Sequence, residues 1–224
     1  ALSTDNITRN QTGKLADHFA TVLHTGTGAE LAITGVGFQP GMVWTKGRSG
    51  ATEHVITDAA RGATKEMSSN DNGAEETVAQ GLKSFDSDGF TLGTDGSYNT
   101  SSATYVNWCI KASSTASGAT TGAGTAKTYN TVYNPDLGFA AIKYTGNGTA
   151  GHTIPLPTMT DDKAPFFWMF RNLDSAHTWT CGGTFLTDAV DYHLNLDGTA
   201  AQYNNTTFHN AAPSSTEFNL ESGG

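Results

Sequence analysis

The chain has 224 residues, a net charge of −9 and a pI of about 5.0, and it is long enough for two domains of about 100 residues each. Its 12 Lys and Arg residues are scattered, so it lacks the clustered basic surface that nucleic-acid binding requires. No run of 18 apolar residues occurs, so membrane insertion is not expected.

Residues 1–18 form a polar N-terminal segment that does not have the apolar core of a signal peptide. Residues 19–112 then predict a β module, because short runs rich in β-branched and aromatic residues alternate with Gly, Asn and Asp. The predicted strands are Phe19–His24, Leu31–Ile33, Met42–Lys46, His54–Asp58, Glu66–Ser68, Phe90–Leu92 and Thr104–Lys111. Helical periodicity is nearly absent, and the best helical candidate, Asn72 to Lys83, is interrupted by two glycines.

The strand Thr104–Lys111 has the clearest pattern. Tyr105, Asn107 and Cys109 alternate with Val106, Trp108 and Ile110, so the two sets should face opposite sides of a sheet. Cys109 lies inside this apolar strand, and the second cysteine, Cys181, is far away in sequence. A disulfide between them is conceivable, but the favoured interpretation is two buried thiols.

Residues 113–127 are almost entirely Ser, Thr, Gly and Ala. A segment without large apolar side chains cannot pack a core, so it predicts a flexible linker or a long surface loop. The module boundary is placed there, and residues 128–224 form a second module.

The second module repeats the first. The phrase from Phe19 to Gly28 returns 120 positions later as Phe139 to Gly148, and both read as a strand that enters a Thr-Gly-x-Gly turn. Farther along, Trp44 is matched with Trp168, and the run ending Phe90-Thr91-Leu92 is matched with Phe218-Asn219-Leu220. Such internal similarity predicts two copies of one β unit, which should superpose with both tryptophans buried in equivalent places.

The second copy differs from the first at its end. No counterpart of Thr104–Lys111 follows Leu220, and a sandwich without that strand exposes a sheet edge. The chain is therefore expected to be stable only in an oligomer or a longer polypeptide. The predicted contact residues are Phe166, Phe218 and Leu220.

The first copy also resembles a module that recurs in tailed-phage particle proteins. The resemblance is carried by the runs Gly37 to Gly50, His54 to Gly62, Ser84 to Gly93 and Thr104 to Ala112. It implies a concanavalin A-like, jelly-roll β-sandwich, so the fold class expected is all-β with tandem antiparallel sandwiches. It further implies a virion protein such as a tail fibre, an appendage or a surface decoration.

Few residues point to chemistry. Glu217, Asn219 and Glu221 alternate as in some β-glucan hydrolases, but the middle carboxylate is absent and the first copy has none there. Asp86 and Asp88 are candidate calcium ligands, with an Asp-Gly turn as the favoured alternative. No histidine pair has metal-ligand spacing, so no catalytic residue and no cofactor is predicted.

Aromatic residues are the candidates for sugar stacking. Trp44, Trp108 and Trp168 are interpreted as core residues of their strands. Glycan binding is assigned instead to the divergent part of the second copy, where function is carried by variable loops. The candidate glycan-binding residues are Trp179, Tyr192, Tyr203 and Phe208.

The function predicted from sequence is a non-enzymatic virion component on the particle surface, which acts in assembly with other virion subunits and forms a homo-oligomer. The first alternative is an adhesin that recognises host surface glycans. The second is a glycan hydrolase. Fold class alone does not choose among these three functions.

Overall fold

A computed structural model describes residues 14–204 and 211–221. Every sheet in these residues is antiparallel, and the two helical segments are a single 3-10 turn at Leu15–Asp17 and a four-residue helix, α1, at Gly96–Asn99. The predicted all-β class is confirmed. None of the helices in the described part of the chain has the length and hydrophobicity to cross a bilayer.

The first module contains nine strands. They are β1 (Phe19–Thr25), β2 (Leu31–Thr34), β3 (Pro40–Gly47), β4 (His54–Asp58), β5 (Lys65–Ser68), β6 (Glu76–Thr77), β7 (Leu82–Asp86), β8 (Gly89–Leu92) and β9 (Thr104–Lys111). One sheet has the order β1-β9-β3-β4-β5-β6, and the other has the order β2-β8-β7. All seven strands predicted in this module are present, and the helix considered for Asn72 to Lys83 is not.

The two sheets of the first module enclose one core. Val43, Val55 and Cys109 from the larger sheet pack with Phe90 and Leu92 from the smaller one. Strand β9 has the alternation expected from its sequence, because its odd-numbered side chains from Tyr105 to Cys109 are fully buried. This arrangement is a two-layer β-sandwich.

The expected linker is a folded part of the second module. β10 (Ser114–Ala119) and β11 (Thr121–Gly122) both lie in it, and β10 pairs along its whole length with residues 128–133. The prediction of a flexible linker is therefore wrong. Small side chains cannot fill a core, but their backbone amides still pair well at a sheet edge.

The remaining strands are β12 (Thr128–Asn134), β13 (Phe139–Tyr144), β14 (His152–Pro155), β15 (Phe167–Phe170), β16 (Thr180–Gly183), β17 (Tyr192–Asn195), β18 (Tyr203–Asn204) and β19 (Glu217–Leu220). Together with β10 and β11, these strands form three sheets, with the orders β10-β12-β13, β11-β14-β19 and β15-β16-β17-β18. The second core lies between these sheets and includes Ile154, Trp168, Phe218 and Leu220.

The repeat is visible in strand pairing. In the first module Ile33 of β2 lies opposite Phe90 of β8, and in the second module Ile154 of β14 lies opposite Phe218 of β19. β1 and β13, which carry the repeated phrase, are both strands. Similar sequences thus form similar pairs of strands, each joining two distant parts of its own copy.

Trp44 and Trp168 do not occupy equivalent places, contrary to the sequence prediction. In β3 the neighbours Val43 and Thr45 point into the first core, so Trp44 faces the opposite side of the sheet and is only partly buried. In β15 it is Trp168 itself that lies in a core. A shift of one residue along a strand reverses the face on which a side chain lies.

Candidate functional site

A large cleft lies between the two modules and is called the intermodule cleft. Its volume is about 1830 Å³. One wall is the outer face of the six-stranded sheet, with Trp44 and Trp108, and the other wall is built from β13 and β15. The two indoles meet edge to face, with ring centroids 5.9 Å apart. Neither indole is in the first module's core, which corrects the interpretation of Trp44 and Trp108 as core residues.

Trp179 of the second module lines the intermodule cleft and contacts the first module. It is 6% exposed and packs with Met42, Ile56 and Met67 of the first module. Its indole N–H donates to the backbone oxygen of Ser68 at 2.8 Å. A buried indole has no face to offer to a sugar, so the prediction of glycan binding by Trp179 is replaced by a structural role between the modules.

Arg171 stabilises the same contact. Its guanidinium donates to the backbone oxygens of Asp71 (2.7 Å) and Gly73 and lies 5.3 Å from the centre of the Trp179 ring. Only 2% of its side chain is exposed. Burial lowers the pKa of this guanidinium, and the nearby Asp197 and Asp71 carboxylates act in the opposite direction.

Of the other candidate glycan-binding residues, Tyr203 also lines the intermodule cleft, whereas Tyr192 does not. Tyr192 is half-buried and lies at the start of β17. The Tyr203 hydroxyl donates to Asn195 Oδ1 at 3.0 Å, so its polar end is held within the module. Phe208 lies outside the described residues.

The three predicted assembly residues separate into two groups. Phe166 is 68% exposed, whereas Phe218 and Leu220 are 2% and 0% exposed. The latter two belong to the second core, so they are not available to line a contact with another subunit. This part of the prediction is wrong, because on β19 the apolar residues face inward and the polar Asn219 faces outward.

An exposed aromatic cluster surrounds Phe166. Phe167 is 48% exposed and Phe185 is 51% exposed. The Phe185 ring lies 5.6 Å from that of Phe166 and 6.3 Å from that of Phe167. These three residues are called the Phe cluster. Phe185 in particular gives no periodic signal in the sequence.

Asp86 and Asp88 are used in internal hydrogen bonds. Asp86 accepts from the hydroxyls of Ser84 and Thr91, each at 2.8 Å, and Asp88 accepts from the backbone N–H groups of Gly35 and Gly37 at 3.0 and 2.7 Å. Within residues 14–204 and 211–221, no group of three or more His, Cys, Asp or Glu could hold a metal. The two aspartates are thus turn residues in this structure.

A buried polar network joins three strands of the first module. Asn107 accepts from the Thr45 hydroxyl at 2.8 Å and donates to His24 Nδ1 at 2.9 Å. His24 Nε2 in turn donates to the Tyr98 backbone oxygen at 2.9 Å. Burial lowers the pKa of His24, which keeps the imidazole neutral.

The remaining candidates for chemistry are in structural positions. Cys109 and Cys181 are buried free thiols, as expected, and burial raises their pKa values to about 12 and about 11. Thiols with such values are not nucleophiles at neutral pH. Asn219, the centre of the hydrolase-like run, accepts from the Thr153 hydroxyl across the β14–β19 pair at 2.7 Å.

The sequence of the chain matches a known protein family. Residues 14–224 match a domain of unknown function, DUF7483. The chain belongs to this family. No curated protein and no solved structure matches the chain. The description of this family names no activity.

Proposed function

We propose that this chain is a non-enzymatic structural component of a tailed-phage particle, located on the particle surface as a tail fibre, an appendage or a decoration. The sequence of the first module, which resembles modules of such proteins, supports the particle setting. The Phe cluster supports an assembly role and is the observation that carries this proposal.

The Phe cluster has the properties of a contact surface. Three aromatic rings are together on one exposed surface, in a chain whose surface is otherwise rich in small polar residues and net acidic. Contiguous exposed aromatic patches mark sites of protein–protein contact, and aromatic residues are enriched at such contacts. The chain therefore has a surface suited to a neighbouring subunit.

Sedimentation tests the contact surface. The double variant Phe166→Ser with Phe185→Ser should reduce self-association or association with other particle proteins. Leu23→Ser is the matched control, because Leu23 is equally exposed, at 58%, but lies in the first module. Equal association of the double variant and the control would contradict an assembly role for the cluster.

Immunogold labelling tests the particle setting. Antibodies against the purified chain should label intact particles of the phage that encodes it, in a repeated position. Labelled host cells without any label on particles would contradict the proposal.

A second candidate function is glycan binding as an adhesin, and the intermodule cleft favours it. Trp44 and Trp108 form an aromatic wall in an accessible depression, which is the kind of surface on which sugar rings stack. A glycan array would test this function. Binding that Trp108→Ala abolishes and that Leu23→Ser, outside the cleft, preserves would support the adhesin.

A further inference from the structure

No described strand of the second module has the position that β9 has in the first. In the first module β9 lies between β1 and β3 and pairs with both of them. Their counterparts β13 and β15 are each the outermost strand of a separate sheet, and no described strand pairs with either of them on the other side. The space between β13 and β15 is called the strand gap, and it opens into the intermodule cleft.

The open backbone groups of β13 correspond to those that bind β9 in the first module. Gly26 N–H donates to Ala103 O, and Lys111 N–H donates to His18 O, so the even-numbered residues of β1 bond to β9. In β13 the flanking bond from Thr145 N–H to Thr128 O assigns the odd-numbered residues to β12. Ala140, Ile142 and Tyr144 therefore direct their backbone groups into the strand gap.

The same reasoning applies to β15. Thr184 N–H donates to Phe166 O, so the even-numbered residues of β15 bond to β16. The backbone groups of Phe167 and Met169 then point into the strand gap from the opposite side. These two strand edges have no partner strand on that side among the described residues, and unpaired edges of this kind are templates for strand addition.

The side chains around the strand gap match a sandwich that is short of one strand. Ile142, Tyr144 and Phe170 pack against the second core, and the rings of Tyr144 and Phe170 approach to 6.4 Å. Ala20 and Val22, the counterparts of Ala140 and Ile142, pack in the same way against the first core. A strand placed between β13 and β15 would cover this part of the second core.

We propose that the second module binds an extended peptide segment of a different polypeptide in the strand gap, as an added strand antiparallel to both β13 and β15. This inference rests on the assembly function proposed above only for its biological setting. The geometry is that of β-strand addition, in which backbone hydrogen bonds supply affinity and alternate side chains supply specificity.

The structure also defines the chemistry of the segment. In β9 the inward Asn107 is satisfied by Thr45 and His24. At the position of His24 the second module has Tyr144, and the inward residues of β15 are Trp168 and Phe170. A buried amide would lose its partners there, so the donated strand should have small apolar residues on its inward side and large apolar residues on its outward side.

Synthetic peptides test this specificity. The parent peptide has the sequence of Thr104–Lys111 with the inward changes Tyr105→Ala and Cys109→Ala, because the Tyr105 hydroxyl bonds to Thr100 and Gly96 in the first module. It is flanked by lysines for solubility and labelled for fluorescence anisotropy. The second peptide adds Asn107→Val and should bind the intact 224-residue chain at least tenfold more tightly than the parent. The third adds Trp108→Pro to the second peptide, and it should not bind, because proline cannot continue a ladder that is paired on both sides.

Two alanines provide matched variants of the protein. Ala140→Pro removes an N–H that points into the strand gap, so the chain should fold and lose peptide binding. Ala20→Pro removes the corresponding N–H that bonds to β9, so the chain should melt at a lower temperature. Phe167→Pro removes a backbone N–H that points into the strand gap from β15, and Phe167→Ala is its control because it keeps that N–H. This pair replaces the first test if Ala140→Pro does not fold.

The outcomes are distinct. Tight binding of the Asn107→Val peptide that Ala140→Pro or Phe167→Pro abolishes supports the proposal. Absence of binding, or binding that both proline variants preserve, overturns it. A dimer of the unliganded chain that Ala140→Pro dissociates also overturns it, because the occupant would then be a second copy. Particle labelling is a separate measurement, so either proposal can fail alone.

Discussion

Trp179 donates its indole N–H to the backbone oxygen of Ser68 at 2.8 Å, and these two residues are 111 positions apart in the chain. The bond joins a loop of the second module to strand β5 of the first. Together with the shared apolar cluster of Met42, Ile56 and Met67, it makes the two copies one packed unit. The stability of each module should therefore depend on the other.

Replacement of Trp179 should measure this coupling. Trp179→Ala creates a cavity and should lower the free energy of unfolding by about 3–5 kcal/mol. Trp179→Phe keeps most of the apolar volume but loses the indole hydrogen bond, so the loss should be smaller. Urea denaturation followed by circular dichroism would measure both values. An unchanged midpoint for Trp179→Ala would mean that the indole is exposed, and would return it to the list of sugar-stacking candidates.

Arg171 should be irreplaceable by lysine. A lysine keeps the charge, but its single ammonium group cannot donate to both backbone oxygens as the planar guanidinium does. Arg171→Lys should therefore lower the free energy of unfolding by about 1.5–3 kcal/mol, the usual contribution of a hydrogen bond to a charged group. Arg48→Lys is the control, because Arg48 is exposed and its replacement should change stability by less than about 0.5 kcal/mol. Equal thermal midpoints for the two variants would contradict the role given to Arg171.

His24 should make the first module sensitive to mild acid. Its folded pKa lies below the unfolded value of about 6.5 because of burial. Stability is therefore complete above the unfolded pKa and falls as the pH drops from about 6.5 towards the folded pKa. Protonation of Nδ1 would also place its proton against the amide group of Asn107, which donates to that atom.

Urea midpoints at pH 7.5 and 5.5 would test this effect. His54 and His152 also have lowered pKa values because of burial, so His24→Gln should reduce the pH dependence without removing it. His177→Gln should leave it unchanged, since His177 is exposed. A His24→Gln variant with the full pH dependence of the original chain would contradict the assignment.

The thiols should report separately on opening of the first core and of β16, where Cys181 lies opposite Met169. Cys109 lies in the first core, and Cys181 is buried at the centre of β16. With pKa values of about 12 and about 11, neither should react with a disulfide reagent at pH 8 until its surroundings open. The single variants Cys109→Ser and Cys181→Ser would assign the two labelling rates. Immediate labelling of the folded chain would show that a thiol is accessible.

Much of the fold could be predicted because its signals are local. The strand Thr104–Lys111 shows its two faces by simple alternation, and the repeated phrase identifies β1 and β13. The hairpin formed by Ser114–Ala119 could not be predicted in this way. Its side chains are small and carry no alternation of hydrophobicity, and its structure depends on backbone pairing with a strand that follows it.

The site was harder to predict because it depends on contacts between modules. Trp179 looked like a loop aromatic suited to sugars, and only the distant Ser68 explains its burial. Trp44 and Trp168 were matched by residue type, but they lie on opposite faces of corresponding strands.

The pairing of β14 with β19 has a consequence for synthesis and folding. Thr153 and Asn219, which bond across this pair, are 66 residues apart, and His24 and Asn107 in the first module are 83 residues apart. In each copy, strands that are far apart in sequence pair across the core, so neither core can form until nearly all of that copy has left the ribosome. Contacts of such long range slow folding, and until they form, the nascent chain displays open strand edges to every neighbouring chain.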